Sequence, residues 1–191
     1  NGTGTYLPLS FYTNGSQQMQ LDTSGNLTVN GSVNTPNTFG FKNRIINGAM
    51  VISQYNGTSS TTPGNNGYPI DRFIYKSTQA SKFNAQQVST APAGFINSLK
   101  MTVASSVSVG SGDFFAIGQR IEGLNLYDIG FGTSSCKTTS LSFWVQSSLT
   151  GTFGGALTNS AGDASYAFTY TISSANTWTY ITISVPAVTT G

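Results

Sequence analysis

Apolar and polar residues alternate with a period of two in six segments after residue 68, and this alternation restricts the possible folds most strongly. Clear examples are residues 99–103, 141–145 and 166–172. Successive side chains of a β-strand point to opposite faces of its sheet, so each segment predicts a strand with one buried face. The repetition indicates an antiparallel β-sandwich of jelly-roll type, the head, over residues 68–191.

The composition favours the same all-β class. Only 7% of the residues are charged, whereas about a quarter is usual in soluble domains. The polar surface must therefore consist of Ser, Thr, Asn, Gln and Gly, which suit sheets and turns and form few helices. Aromatic residues make up 12% of the chain, which is ample for a packed core.

Several classes of function have no support in the sequence. The eight Lys and Arg residues are scattered, so no basic stripe is available for nucleic acid. No apolar run approaches the ~20 residues of a membrane span, so membrane insertion is not expected. Histidine is absent and Cys136 is the single cysteine, so the commonest general base and metal ligands are missing. We therefore expect no catalytic residue, no metal site and no cofactor.

Residues 1–37 contain short alternating segments separated by turn sequences, and we term them the stem. Asn14-Gly15 and Asn30-Gly31 are strong hairpin signals, and Ser24-Gly25-Asn26 is a further turn. The apolar positions of the segments are Leu9, Phe11, Met19, Leu21, Leu27 and Val29. Six apolar side chains cannot bury enough surface for a stable fold. The sequence therefore predicts that three chains intertwine around one axis and complete each other's core.

Residues 38–67 are predicted to form a junction and a loop between the stem and the head. Four apolar residues make the first part too apolar for a free linker: Ile45, Ile46, Met50 and Ile52. Asn47-Gly48 offers a bend within it. We expect this part to dock the stem onto the head in a strand or short turn with buried Ile side chains. Residues 55–67 are rich in Gly, Asn, Ser and Thr and predict the loop.

Several stretches of the sequence resemble parts of bacteriophage tail fibres. Pro8-Leu9-Ser10-Phe11, continued by Met19-Gln20-Leu21-Asp22, looks like the short-hairpin stem unit of many such fibres. A second resemblance is to the opening of a β-sandwich domain of tail-fibre and virion structural proteins. It rests on Asn43-Arg44-Ile45-Ile46-Asn47-Gly48-Ala49-Met50, followed by Tyr68-Pro69-Ile70-Asp71-Arg72-Phe73. Gln119-Arg120-Ile121-Glu122-Gly123 and Leu141-Ser142-Phe143-Trp144-Val145 also resemble that domain.

The resemblance implies a structural, non-enzymatic protein of the virion tail that attaches to the host as a receptor-binding adhesin. Its expected partners are its own copies in a homotrimer, other virion tail proteins and a host surface glycan, either lipopolysaccharide or capsule. In that family the sandwich continues for several strands beyond one like residues 178–185. The resemblance thus implies either a shortened copy or further strands beyond Gly191.

Two alternatives to a tail-fibre adhesin stay open. A capsid-attached fibre or decoration protein has the same fold, because the anchor lies outside this sequence. A glycan-degrading tailspike needs two carboxylates that face each other across roughly 5–10 Å. The carboxylates of the chain are Asp22, Asp71, Asp113, Glu122, Asp128 and Asp163. The sequence does not show which of them face each other.

The candidate ligand-binding residues are aromatic side chains and one neighbouring carboxylate: Tyr55, Tyr127, Asp128, Trp144 and Trp178. An aromatic ring stacks on the apolar C–H face of a sugar, and a carboxylate accepts hydrogen bonds from its hydroxyl groups. Trp144, Trp178 and Tyr180 lie opposite the aliphatic residues of their own strands. Such rings equally suit a subunit interface, or strands that are buried on both faces.

Four charged residues stand inside strand patterns: Asp71, Arg72, Arg120 and Glu122. Arg120 and Glu122 are two residues apart, so they share a face and can form an ion pair that holds strands in register. The alternative is that arginine and carboxylate bind sugar hydroxyls or acidic sugars.

Overall fold

The computed structural model describes residues 7–30 and 43–189 of the chain. Within these residues it has eleven β-strands, one short 3₁₀ helix (Gly123–Asn125) and no α-helix. The prediction of an all-β chain is therefore confirmed. The jelly-roll topology and the trimeric stem stay predictions.

The strands belong to two compact units, Asn1–Lys42 and Asn43–Gly191. The first unit contains β1 (Leu9–Thr13), β2 (Ser16–Leu21) and β3 (Leu27–Val29). The second contains β4 (Phe73–Ser77), β5 (Phe83–Val88), β6 (Ser98–Val103), β7 (Phe115–Gln119), β8 (Thr139–Val145), β9 (Gly151–Thr158), β10 (Ser165–Ile172) and β11 (Thr179–Val185). Residue 37, the predicted end of the stem, lies outside the described residues. So does Gly31, the second residue of the predicted Asn30-Gly31 turn.

The stem forms a three-stranded antiparallel sheet in the order β1-β2-β3. Asn14 and Gly15 connect the first two strands with φ angles of 49° and 74°. Two successive positive φ angles are typical of a type I′ turn, whose twist suits a two-residue hairpin, so the predicted Asn-Gly hairpin is confirmed. In the next turn, the Asp22 carboxylate accepts hydrogen bonds from the backbone N–H groups of Ser24 and Asn26 at 2.9 and 2.8 Å.

One face of the stem sheet carries all six predicted apolar residues. They form two registered rows across the strands: Leu9, Leu21 and Leu27 in one row, and Phe11, Met19 and Val29 in the other. Leu9 and Leu27 are 58% and 57% exposed. In a single chain this face is therefore apolar and largely open to solvent.

The junction forms a turn at residues 46–49, as predicted, but Ile45 is only half-buried and the other two isoleucines are exposed. Ile46 and Ile52 are exposed, so the prediction of buried Ile side chains is wrong for both. Polar side chains hold the segment instead. Gln119 accepts a hydrogen bond from Ile46 N–H at 2.8 Å and donates one to the Ile46 carbonyl at 2.7 Å. The docking of the stem onto the head stays a prediction.

An aromatic cluster connects two strand pairs of the head. β4 pairs with β7, and β5 pairs with β6, both antiparallel. Phe83 packs against Tyr75 and Phe115, with ring centroids 6.4 and 5.4 Å apart. Tyr75 and Ile70 are almost fully buried, so the core of this half lies where the two strand pairs meet.

The other half of the head consists of two strand pairs in contact. β8 pairs with β11, and β9 pairs with β10. Phe143 on β8 meets Tyr170 on β10 edge to face, with centroids 5.2 Å apart. The Tyr166 hydroxyl on β10 donates a hydrogen bond to the Ser184 carbonyl on β11 at 3.1 Å. The alternate residues of β8 and β11 therefore point away from this core.

Two head strands, β5 and β9, are missing from the sequence prediction. β5 buries Gln87, whose amide donates a hydrogen bond to the Met50 carbonyl at 2.6 Å. β9 places Gly155 opposite Phe168 of β10, with the Phe168 ring lying across the glycine. A polar residue and a glycine at inward positions hide the alternation. The strand predicted to continue to Glu122 is also shorter, because β7 ends at Gln119.

Candidate functional site

Trp144 and Tyr180 form an exposed aromatic pair on the outer face of the β8–β11 sheet. They are directly opposite each other in the strand register, and their ring centroids lie 5.1 Å apart at 48°. Trp144 is 41% exposed and Tyr180 is 54% exposed. Their chain neighbours Phe143 and Ile181 are half-buried on the inner face. Within one chain, these strands are therefore not buried on both faces.

Hydroxyl groups surround this aromatic pair. The outer face of the two strands carries no charged residue: Ser140, Ser142, Trp144, Tyr180, Thr182 and Ser184. Hydrogen bonding with the Ser142 side chain, followed by that with Thr182, holds the pKa of Tyr180 below its ordinary value. Two rings beside several hydroxyl groups can stack on the C–H face of a sugar and exchange hydrogen bonds with its hydroxyls.

A second, concave surface lies around Tyr68 and Arg72. These two residues line two neighbouring depressions of about 340 and 480 Å³, which together we term the charged groove. The other residues of the groove are Tyr55, Asn56 and Asp71 in the smaller depression, and Ile74, Arg120 and Glu122 in the larger one.

Hydrogen bonds fix the backbone around the charged groove. The Asp71 carboxylate accepts a hydrogen bond from Gln54 N–H at 2.7 Å, and the Asn56 amide donates to the Tyr68 carbonyl at 3.1 Å. The Asn47 amide donates to the Asp71 carbonyl at 2.9 Å. The two sequence segments that resemble the opening of a tail-fibre domain are therefore in contact.

Arg72 and Glu122 form an ion pair in the groove, with Arg72 Nη2 2.5 Å from Glu122 Oε1. Arg72 is the main reason that the pKa of Glu122 lies below its ordinary value, and the Asn125 amide adds to the effect. The ion pair considered between Arg120 and Glu122 does not form. Because β7 ends at Gln119, the two residues do not alternate within a strand, and Glu122 pairs with Arg72 instead.

Tyr127 and Asp128 follow the 3₁₀ helix. Both Asp128 carboxylate oxygens accept hydrogen bonds from Arg44 Nη2 at 2.6 Å, and Arg44 Nη1 donates to the Asn125 carbonyl at 2.6 Å. Asp128 is thus part of the attachment of the junction to the head. Tyr127, by contrast, is exposed.

The structure places the five predicted ligand-binding residues in different surroundings. Tyr55 lines the charged groove and is 95% exposed, and Trp144 belongs to the aromatic pair. Asp128 is bound by Arg44, beside the exposed Tyr127. Trp178 is half-buried immediately before β11.

Two aromatic residues of these surfaces, Tyr180 and Tyr68, are absent from the predicted set. The alternation of its strand placed Tyr180 opposite the aliphatic residues, which was the available signal. That signal did not show that Tyr180 pairs with Trp144, because the pairing of β8 with β11 joins distant parts of the chain. Tyr68 precedes the first head strand, so no strand pattern distinguishes it.

The described residues contain neither clustered metal ligands nor a membrane-spanning helix. Over residues 7–30 and 43–189, no group of three or more His, Cys, Asp or Glu residues could hold a metal ion. The same ranges contain no helix with the length and apolar character needed to cross a membrane. The groove carboxylates are engaged within the protein, Asp71 by Gln54 N–H and Glu122 by Arg72.

The fold and these surfaces define an all-β protein that displays an aromatic pair and a charged groove to solvent. No protein family, no curated protein and no solved structure matches the chain.

Proposed function

We propose that this chain is a structural, non-enzymatic protein of a bacteriophage tail fibre, and that its head binds a host lipopolysaccharide or capsular glycan. The observation that carries the proposal is the exposed Trp144–Tyr180 pair among uncharged, hydroxyl-bearing residues. Stacking a ring on the C–H face of a sugar removes apolar surface of both from water. The neighbouring hydroxyls then satisfy the polar edge of the sugar.

The uncharged character of this face suits a glycan that is repeated over a cell surface. One pair of rings makes few contacts, so a single site binds weakly. Several copies on one fibre gain avidity, because the first bound site raises the effective concentration of the others. Binding through an uncharged face depends only mildly on salt.

The open apolar face of the stem sheet supports a homotrimer. A three-stranded sheet with one exposed apolar face is marginally stable by itself. Three copies that turn this face towards a common axis bury all three faces together. Such an assembly brings three heads into one particle, as multivalent adhesion requires.

Two head carboxylates, Asp113 and Glu122, are poorly suited to the general-acid role that glycan hydrolysis needs. A glycoside hydrolase needs a carboxylic acid with a raised pKa, so that it can protonate the leaving group. The Gly110 backbone, followed by the Thr78 and Gln79 side chains, lowers the pKa of Asp113. Arg72 lowers the pKa of Glu122. Both groups are therefore poor general acids.

The test is to substitute each ring of the aromatic pair in the full chain, as Trp144→Ala and Tyr180→Ala. Binding of the assembled protein is measured on an array of bacterial lipopolysaccharides and capsular glycans. Each substitution should lower the signal at least about tenfold, because several weakened sites act together.

Leu124→Ala is the matched control, since it removes an exposed apolar side chain from the 3₁₀ helix. This variant should bind as the parent does. If the assembled Trp144 and Tyr180 variants also bind as the parent does, the aromatic pair is not the glycan site. Immunogold labelling of intact virions separates a tail fibre from the alternative, a capsid-attached fibre or decoration protein.

A further inference from the structure

The charged groove contains two arginines, and only one of them pairs with a described residue. Arg72 forms an ion pair with Glu122 at 2.5 Å, and Glu122 also accepts a hydrogen bond from the Asn125 amide at 3.1 Å. Arg120 lines the same depression and is exposed. It makes no hydrogen bond or ion pair with any residue that the structure describes. The larger depression thus holds two guanidinium groups and one carboxylate, and Arg120 is the cation that no described residue pairs with.

The strand that precedes Arg120 carries a glycine opposite an apolar residue of the groove. Gly118 of β7 lies two residues before Arg120 in the chain and is opposite Ile74 of β4. A Cβ atom at Gly118 would lie 4.0 Å from Ile74 Cγ2, in ordinary van der Waals contact, and the glycine supplies no such atom. Ile74 itself is buried and lines the depression as an apolar floor.

Aromatic rings stand next to this cation. Tyr68 is exposed and lines both depressions, and Tyr55 projects from the wall of the smaller one. The two depressions, of about 340 and 480 Å³, are open to solvent and adjoin at Tyr68 and Arg72. A ligand of this groove therefore meets a ring surface together with a guanidinium that has no partner among the described residues.

We propose that the charged groove binds a carboxylate-bearing sugar, a hexuronic acid unit of an acidic polysaccharide, with its carboxylate on Arg120 and its ring against Tyr68. A guanidinium offers two parallel N–H donors that match the two oxygens of a carboxylate. The ion pair with Arg72 holds Glu122 beside the ligand. The Glu122 carboxylate there accepts hydrogen bonds from the sugar hydroxyls. The inference rests on the proposed function, because it names acidic glycans as the ligand class of a second site on the same head.

The experiment compares two probes by isothermal titration calorimetry with the full chain. One probe is trigalacturonic acid, and the other is the same trisaccharide with its carboxyl groups reduced to alcohols. The parent should bind the acidic probe at least about tenfold more tightly than the neutral one. Arg120→Gln should abolish this preference. Arg120→Lys keeps the charge but not the two-pronged geometry, so it should retain only part of the preference.

Lys100→Gln is the matched control, because it removes an exposed positive charge from β6, a strand that contributes no lining residue to the groove. It should keep the parental preference. Equal binding of both probes to the parent would overturn the inference. An equal loss in Lys100→Gln and Arg120→Gln would do the same, since net charge would then explain the effect. Thermal unfolding identifies folded variants, and if Arg120→Gln does not fold, Arg120→Lys provides the comparison.

Trp144→Ala distinguishes a failure of this inference from a failure of the proposed function. If Trp144→Ala abolishes array binding and the parent shows no preference for the acidic probe, the groove inference fails and the proposed function stands. If the preference depends on Arg120 but Trp144→Ala binds the array normally, the aromatic pair is not the glycan site of the proposed function. The groove inference then stands.

Discussion

At the scale of single residues, polar side chains take the place of backbone partners in this weakly charged chain. Gln119 gives Ile46 the two hydrogen bonds that a neighbouring strand would supply. Asn47 acts similarly in the junction turn. Its amide donates to the Ile52 and Asp71 carbonyls at 2.8 and 2.9 Å and accepts from Ile52 N–H at 2.9 Å. The sequence predicted apolar burial here because a local pattern does not show which distant side chain reaches a backbone.

Asn47 offers a direct test of this role. Its φ is 59°, a left-handed conformation that alanine adopts at a cost of about 1 kcal/mol. Asn47→Ala also removes three hydrogen bonds, so the free energy of unfolding should fall by about 3 kcal/mol in total. Asn176→Ala is the matched control, because its φ is 56° and its side chain makes no hydrogen bond with a described residue. The control should lose only about 1 kcal/mol in urea denaturation. Equal losses would show that the Asn47 side chain does not hold the turn.

At the scale of elements, the alternating pattern predicted strands wherever the inward positions are large and apolar. β8 and β11 meet this condition at most of their inward positions, and Trp144 lies opposite the aliphatic residues of its strand, as the alternation predicted. β5 and β9 do not meet it, because they turn Gln87 and Gly155 inward. The register that places Tyr180 beside Trp144 was beyond the sequence, since alternation assigns a side chain to a face but does not choose the partner strand.

Gly155 shows why a glycine occupies an inward position of β9. A Cβ atom there would collide with the ring of Phe168, whereas a Cβ atom on neighbouring Gly154 would meet nothing closer than 3.8 Å. Gly155→Ala should therefore lower the free energy of unfolding by about 1–3 kcal/mol through overpacking. Gly154→Ala adds the same methyl group to the exposed face and should be close to neutral. Thermal unfolding of the two variants decides the matter, and similar melting temperatures would mean that the Phe168 ring moves aside without cost.

At the scale of the whole molecule, the two units differ in how much apolar surface each buries within a single chain. The second unit has a core of its own, with fully buried side chains from separate strands and loops: Ile70, Tyr75, Ile172 and Val185. The first unit has a sheet whose apolar face is open. This contrast was predicted from the number of apolar residues in each segment. The charged groove was not predicted, because it combines residues from a loop, the start of β4 and the chain beyond β7.

The open stem face leads to a prediction about assembly, which can be tested with the full chain. Leu21 is the centre of the row formed with Leu9 and Leu27, so Leu21→Asp should place three carboxylates in the interior of a trimeric stem. The change removes about 1.5–3 kcal/mol of apolar burial per chain and adds the cost of burying a charge. Thr28→Asp puts the same charge on the opposite face and is the control. In analytical ultracentrifugation, the parent and Thr28→Asp should sediment as three chains of 20.0 kDa each, and Leu21→Asp as a single chain. A monomeric parent, or a Leu21→Asp trimer as stable as the parent, would show that other copies do not cover this face.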